Sequence, residues 1–181
     1  IHLAHCLETD DWQAIRQDLA KRPIEGVDGK ASNDPILDIL SKYGITGKAR
    51  GIRHELLVTV TLWGTGKVYR EFMHVDDMAS ACVKILEEFR VQSSAFNVQR
   101  STFGSPRPST LDPRPSFMNI GVGTDVTIRE LAELIKSIVG FQGKIEWDHS
   151  KPDGTPKKLL DVSRLKETGF RPNYTLEEGI R

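Results

Sequence analysis

Trp63-Gly64-Thr65-Gly66-Lys67-Val68-Tyr69-Arg70 sets an indole, two glycines and an arginine in one short stretch, followed by Glu71, Phe72, His74 and the pair Asp76-Asp77. A ligand with paired phosphates is held best by an arginine fork, a lysine point charge and backbone N–H groups that glycine turns or helix starts leave open. Arg70 offers the fork, and Gly64 and Gly66 let backbone approach a ligand closely. Trp63 offers a flat face to a base or sugar, or else core area. A second cationic stretch, Lys151-Pro152-Asp153-Gly154-Thr155-Pro156-Lys157-Lys158, adds the Lys157-Lys158 pair for phosphate and Asp153 for ligand hydroxyls. Each also has a structural use. Pro-Asp-Gly is an ordinary turn, and an arginine such as Arg70 commonly pairs with a nearby carboxylate.

Other chemistries find less support. His74 stands just before Asp76-Asp77, where a relay role competes with a hydrogen bond to a helix start, and His149 beside Asp148 is no more specific. No Ser/His/Asp set, HxxxH metal pair or glycine-rich dinucleotide fingerprint can be assembled. Gly121-Val122-Gly123 lacks the third glycine and the downstream acidic residue of such a fingerprint. Cys6 and Cys82 form neither CxxC nor metal spacing and read as buried, reduced thiols of a cytoplasmic protein.

The elements that must position these residues follow from periodicity. Leu56-Leu57-Val58-Thr59-Val60-Thr61-Leu62 is short, apolar and β-branched, a strand leading into the glycine turn. Asp76-Asp77 opens a helix expected to bury Met78, Cys82, Ile85, Leu86 and Phe89. Upstream, Asp10-Asp11 caps a helix carrying Trp12, Ile15 and Leu19, and Lys21-Arg22-Pro23 ends it. Ser32 leads Ile36, Leu37, Ile39 and Leu40 into another helix, closed by Gly44. Residues 46–55 and the Ser-, Pro- and Arg-rich residues 91–116 read as loops, and Phe117 to Gly123 as a short strand. Thr127-Ile128-Arg129-Glu130 is a capping box for a helix through Leu131, Leu134, Ile135 and Ile138, stopped by Gly140. A strand over Lys144 to Asp148, a short helix from Ser163 and a second capping box at Thr175-Leu176-Glu177-Glu178 complete the pattern. The chain starts inside one helical pattern and ends inside another, which leads to the expectation of a piece of a larger protein.

Composition narrows the class. With 181 residues the chain is long enough to bury a core, and 25 basic against 25 acidic residues give no basic face for nucleic acid. No apolar run approaches a membrane span, and no signal peptide is visible.

Taken in order, Trp63-Gly64-Thr65-Gly66, Arg70-Glu71-Phe72, His74-Val75-Asp76-Asp77-Met78, Asn119-Ile120-Gly121-Val122-Gly123, Thr127-Ile128-Arg129-Glu130-Leu131 and Lys151 through Val162 resemble the C-terminal half of the GDP-L-fucose synthase family. These are extended short-chain dehydrogenase/reductases. The Lys-Pro-Asp-Gly-Thr-Pro stretch is the family-specific part; the rest is shared loosely with sugar-nucleotide epimerases. The resemblance implies an α/β fold in which residues 1–181 form a substrate-binding lobe, with elements that would pack on a Rossmann domain whose nucleotide-binding half this chain lacks. Residues 1–45 resemble a helical insertion of some bacterial members.

The family epimerises GDP-4-keto-6-deoxy-D-mannose at C3 and C5 and reduces C4 with NADPH. The resemblance implies GDP-sugar contacts for Trp63, Arg70, Asp153 and Lys158, with Arg70 at the pyrophosphate. It also implies NADP(H) and a homodimer for the full-length enzyme, and no nucleic acid or membrane. Tyr43 and Tyr69 lack a lysine four residues on, so no catalytic Tyr-x-x-x-Lys is found, and the chain alone is expected to bind no cofactor and turn over nothing. A non-catalytic nucleotide-sugar module, an assembly role, or the equivalent part of another NDP-sugar epimerase or dehydratase are the alternatives.

Overall fold

The computed structural model describes residues 1–50, 55–98 and 117–181, with 49, 50, 55 and 88–98 described by backbone alone. In chain order the elements are α1 (His2–Glu8), α2 (Trp12–Lys21), α3 (Asn33–Lys42), β1 (Ile45–Arg50), β2 (Glu55–Trp63), β3 (Tyr69–Arg70), α4 (Val75–Val98), β4 (Val126–Thr127), α5 (Ile128–Val139), β5 (Lys144–Asp148), β6 (Lys157–Lys158), α6 (Ser163–Glu167) and α7 (Leu176–Ile180). They fall into two compact units, Ile1–Tyr69 with Val126–Lys157, and Arg70–Asp125 with Lys158–Arg181. This is the α/β mixture that the sequence leads one to expect.

In the first unit β2 is the central strand of a sheet ordered β1-β2-β5. It runs antiparallel to β1, with Ile45 opposite Val60, and parallel to β5, with Trp63 opposite Asp148. Val58 and Val60 lie two apart, so they share one face of the strand, and both are buried with Cys6, Leu7, Ile15, Leu19, Ile36, Leu40 and Phe141. Asp11 caps α2 by accepting from the Ala14 N–H at 2.9 Å. The Thr127/Glu130 capping box opens α5, and Gly140 closes it in the left-handed conformation at φ 77°.

The second unit is built around Ala81, Val162, Leu165 and Phe170, with Met73, Ile85, Met118 and Ile120 packed against them. Asp77, fully buried at the start of α4, accepts from the Asn173 N–H at 2.9 Å, the Asn173 side-chain amide at 3.2 Å and the Tyr174 N–H at 3.1 Å. Burial pushes its carboxyl up, but these three bonds together outweigh it and hold the group below the usual carboxylate range.

Five expectations need correction. Residues 46–50 are not loop but most of β1, and Glu55 already belongs to β2; Lys48 suits the edge of a sheet, where charge is tolerated. Residues 91–98 continue α4, because neither glycine nor proline interrupts the chain there. The rest of both expected loops, residues 51–54 and 99–116, lies outside the described residues. Phe117 to Gly123 form no strand ladder. Their polar partners are side chains and irregular backbone: the Asn119 amide donates to Asp161 O at 3.0 Å, and the Gly123 N–H to Glu71 Oε1 at 2.6 Å.

The buried face of α4 is also one residue round from the one expected. Asp77, Ala81 and Ile85, four apart, face the core, which leaves Met78, Cys82 and Leu86 exposed; the Phe89 side chain lies outside the described residues. Hence Cys6 is buried as expected, and Cys82 is not.

Candidate functional site

Strand β2 delivers Trp63 to the end of the first unit's sheet, where pairing with β5 closes as the Gly64 N–H donates to Asp148 O at 3.0 Å. Gly64 and Gly66 then take φ of 79° and 73°, a left-handed backbone that a side chain resists. Space demands glycine as well. A Cβ on Gly64 would collide with Asp153 Oδ1, and one on Gly66 would lie 2.5 Å from the Trp147 ring. Between them, the Thr65 N–H donates to Asp153 Oδ1 at 2.8 Å and its hydroxyl to Oδ2 at 2.5 Å.

Asp153 therefore ties the 149–156 loop to the 63–66 turn, residues far apart in sequence but adjacent here. The Thr65 hydroxyl bond and then its N–H bond hold the Asp153 carboxyl below the usual range, with the Lys67 charge adding. Each carboxylate oxygen has a second lone pair, so Asp153 keeps capacity to accept from a ligand hydroxyl.

The Trp63 side chain, at the end of β2, is 77% exposed and takes no part in the core of the described residues. The Lys151 ammonium stands 5.6 Å from its ring centroid, and Lys157 stands 5.4 Å over Tyr69. An exposed aromatic face with a cation beside it, on a turn pinned at both ends, is suited to a flat, anionic ligand.

Arg70 and Lys158 both fall in the second unit, at the ends of the two-residue strands β3 and β6, which are hydrogen-bonded neighbours. Arg70 is half-buried and Lys158 exposed. Next to Arg70, Glu71 is committed to backbone: Oε1 accepts from Gly123 N at 2.6 Å and Oε2 from Leu160 N at 3.2 Å. Gly121 leaves room for it, since a Cβ there would collide with Glu71 Oε1. So the structure brings Trp63 and Asp153 together in one unit, and sets Arg70 and Lys158, both of the other, at the ends of adjacent strands.

Three further residues escape a reading of the sequence. Glu71 and Asp77 have their carboxylates turned onto backbone amides, a use that no local spacing announces. Arg129 reaches back to the 63–66 turn, donating to Thr65 O at 2.8 Å. His74 takes the structural role: its Nδ1 accepts from the Asp76 N–H at 3.3 Å, and its ring lies 4.1 Å from that of Tyr174. Among the described residues there is no cluster that could hold a metal ion, and no helix long and apolar enough to cross a membrane.

Residues 44–98 match the NAD dependent epimerase/dehydratase family. GDP-L-fucose synthase 1 of Arabidopsis thaliana is 46% identical over 121 residues, 67% of this chain and 30% of that protein. GDP-L-fucose synthase of Escherichia coli K12 is 43% identical over 121 residues, 67% of this chain and 33% of its own length. Among solved structures, a GDP-6-OMe-4-keto-L-xylo-heptose reductase from C. jejuni matches 99% of this chain and 42% of its own, with 31% identity and a TM-score of 0.66. A GDP-mannoheptose C4 reductase from Campylobacter jejuni with NADP bound matches 99% and 41%, with 28% identity and a TM-score of 0.62. The 99% coverage takes in helices α1 to α3, so they too have counterparts in these reductases. The chain spans about a third of the length of the curated relatives it matches. What it shares with them is a similarity over residues 44–98 to the NAD dependent epimerase/dehydratase family and, over two thirds of this chain, to part of the GDP-L-fucose synthases.

Proposed function

We propose that this chain is the GDP-sugar-binding part of a GDP-L-fucose synthase, the enzyme that converts GDP-4-keto-6-deoxy-D-mannose to GDP-L-fucose by 3,5-epimerisation and NADPH-dependent 4-reduction. The observation that carries the reading is the pinned 63–66 turn, which holds an indole 77% exposed beside a lysine ammonium. Trp63 offers its face to the nucleotide or sugar, and Asp153 accepts from a hydroxyl with the lone pairs that Thr65 leaves. Arg70 and Lys158 bind the pyrophosphate, Arg70 as a fork and Lys158 as a point charge. The identity to GDP-L-fucose synthases supports the GDP-sugar class, and both heptose reductases are likewise named for GDP-linked sugars.

The cofactor is a different matter. The stretch Gly121-Val122-Gly123, a partial echo of a dinucleotide fingerprint, does not fit the family's NADP. In Gly121-Val122-Gly123 the Gly123 N–H that would meet a phosphate donates instead to Glu71 Oε1 at 2.6 Å, and a negative carboxylate fills the space beside Gly121. The sequence also has no Tyr-x-x-x-Lys. We therefore assign this chain substrate binding and derive no hydride or epimerisation step from it. In this reading catalysis and NADP(H) binding belong to the remainder of a full-length enzyme that acts as a homodimer.

Calorimetry on the full 181-residue chain tests the reading. GDP should bind, and Arg70→Ala should weaken it more than tenfold, since a fork-held phosphate contact contributes about 1.5–3 kcal/mol. No measurable GDP binding would sink the proposal. Equal binding of GDP and UDP would instead favour another NDP-sugar enzyme. An NADPH-oxidation assay with the keto-sugar should give no turnover by this chain alone.

A further inference from the structure

The 63–66 turn is clamped by two opposite charges acting on one residue. Asp153 takes the Thr65 N–H and hydroxyl on one side, while Arg129 Nη2 donates to Thr65 O at 2.8 Å on the other. Arg129 makes two more contacts that fix it there. Its backbone N–H donates to Gly66 O at 2.9 Å, and its guanidinium carbon lies 4.6 Å from the Trp147 ring centroid. That ring is also the surface on which Gly66 rests. Every polar group of Thr65 is thus engaged, between two glycines whose backbones would otherwise have wide freedom.

We propose that Arg129 is a positioning residue for ligand binding: it does not meet the ligand, but its fork and its stack on Trp147 fix the turn that presents Trp63. The helix that carries it, α5, starts at Ile128 with a full capping box, so the arginine stem leaves a rigid first turn. A hydrogen bond from a charged donor to a carbonyl, on a turn that glycine leaves free to move, is a contact whose loss spreads to its neighbours. Lysine cannot replace it fully. It can keep a cation over the indole but not the planar fork that serves ring and carbonyl together.

The affinity readout rests on the GDP-binding reading, so a second readout independent of ligand is needed. The full chain is labelled with 5-fluorotryptophan, and the fluorine resonances of its three tryptophans are assigned by Trp12→Phe, Trp63→Phe and Trp147→Phe. Arg129→Met keeps the apolar stem and removes the fork. It should shift or broaden the Trp63 resonance, leave that of Trp12 in place, and weaken GDP binding by about three- to tenfold. Arg129→Lys should recover part of both effects, and a variant that merely perturbed folding would move the Trp12 resonance as well.

A Trp63 resonance unchanged in Arg129→Met overturns the proposal, whatever GDP does. A shifted resonance with no GDP binding even by the unsubstituted chain upholds the positioning role and sinks the GDP reading instead. Should Arg129→Met fail to fold, Arg129→Lys is read in the same way.

Discussion

Replacing Gly66 by alanine measures how firmly the 63–66 turn is seated. The new methyl would lie 2.5 Å from Trp147 Cη2 and 2.7 Å from Cζ2 and Cζ3, inside any permitted contact, in a backbone at φ 73°. The left-handed backbone alone costs about 1–2 kcal/mol for an L-residue. Pushing the indole away, and with it the stacked Arg129, adds about 1–3 kcal/mol as an overpacked site. Gly26 separates the two effects. It lies in the same unit at φ 84°, and a methyl there would meet nothing within 4 Å, so Gly26→Ala carries the backbone strain without the collision. Urea unfolding of the full chain, followed by circular dichroism, should therefore show Gly66→Ala less stable than Gly26→Ala by about 1–3 kcal/mol. Equal losses in the two variants would refute the close seating of the turn on Trp147, and with it the geometry assigned to Trp63.

Other outcomes follow from the same contacts. Trp63→Ala should change stability by less than about 0.5 kcal/mol, because the side chain is 77% exposed, while weakening GDP binding severalfold; a large stability loss would return the indole to a core role. Asp77→Ala should lower stability by about 3 kcal/mol in thermal or urea denaturation, since the Asn173 and Tyr174 amides lose their acceptor in a buried place; Asp77→Asn, which keeps one oxygen, should lose less. Acid sensitivity has a definite sign. Asp77 and Asp153 titrate lower when folded than when unfolded, so the unfolded chain binds more protons in acid. Their contribution is present above the ordinary carboxylate pKa, about 4, and is lost as the pH falls through their folded values. Thermal midpoints measured from neutral pH into acid should fall along that limb, and Asp153→Asn should flatten it.

Helices with their own punctuation are legible in the amino-acid sequence. Asp11 caps α2, the Thr127/Glu130 box opens α5 and Gly140 ends it, because each of these rests on contacts within a few residues, and β2 stands where its β-branched run puts it. Elements without such internal signals are not. Residues 46–50 form a strand only because β2 offers an edge, and Phe117 to Gly123 fail to form one because their hydrogen bonds go to Glu71 and Asp161. The buried face of α4 departs from its periodicity for a related reason: periodicity marks an apolar stripe, but which face meets the core is decided by what packs against it.

The candidate site divides in the same way. Residue types at Trp63, Arg70, Asp153 and Lys158 are enough to point to an anionic ligand, since a fork, a point charge, an aromatic face and an acceptor are local chemical facts. The order of their motifs along the chain is enough to suggest the family. Tertiary structure alone decides that Asp153 latches Thr65 across 88 residues of sequence, that Glu71 and Asp77 serve backbone amides, and that Arg129 reaches back 64 residues to hold the turn. A carboxylate or guanidinium takes its partner from whatever the fold sets within hydrogen-bonding distance, and that distance is not written in the spacing of the chain.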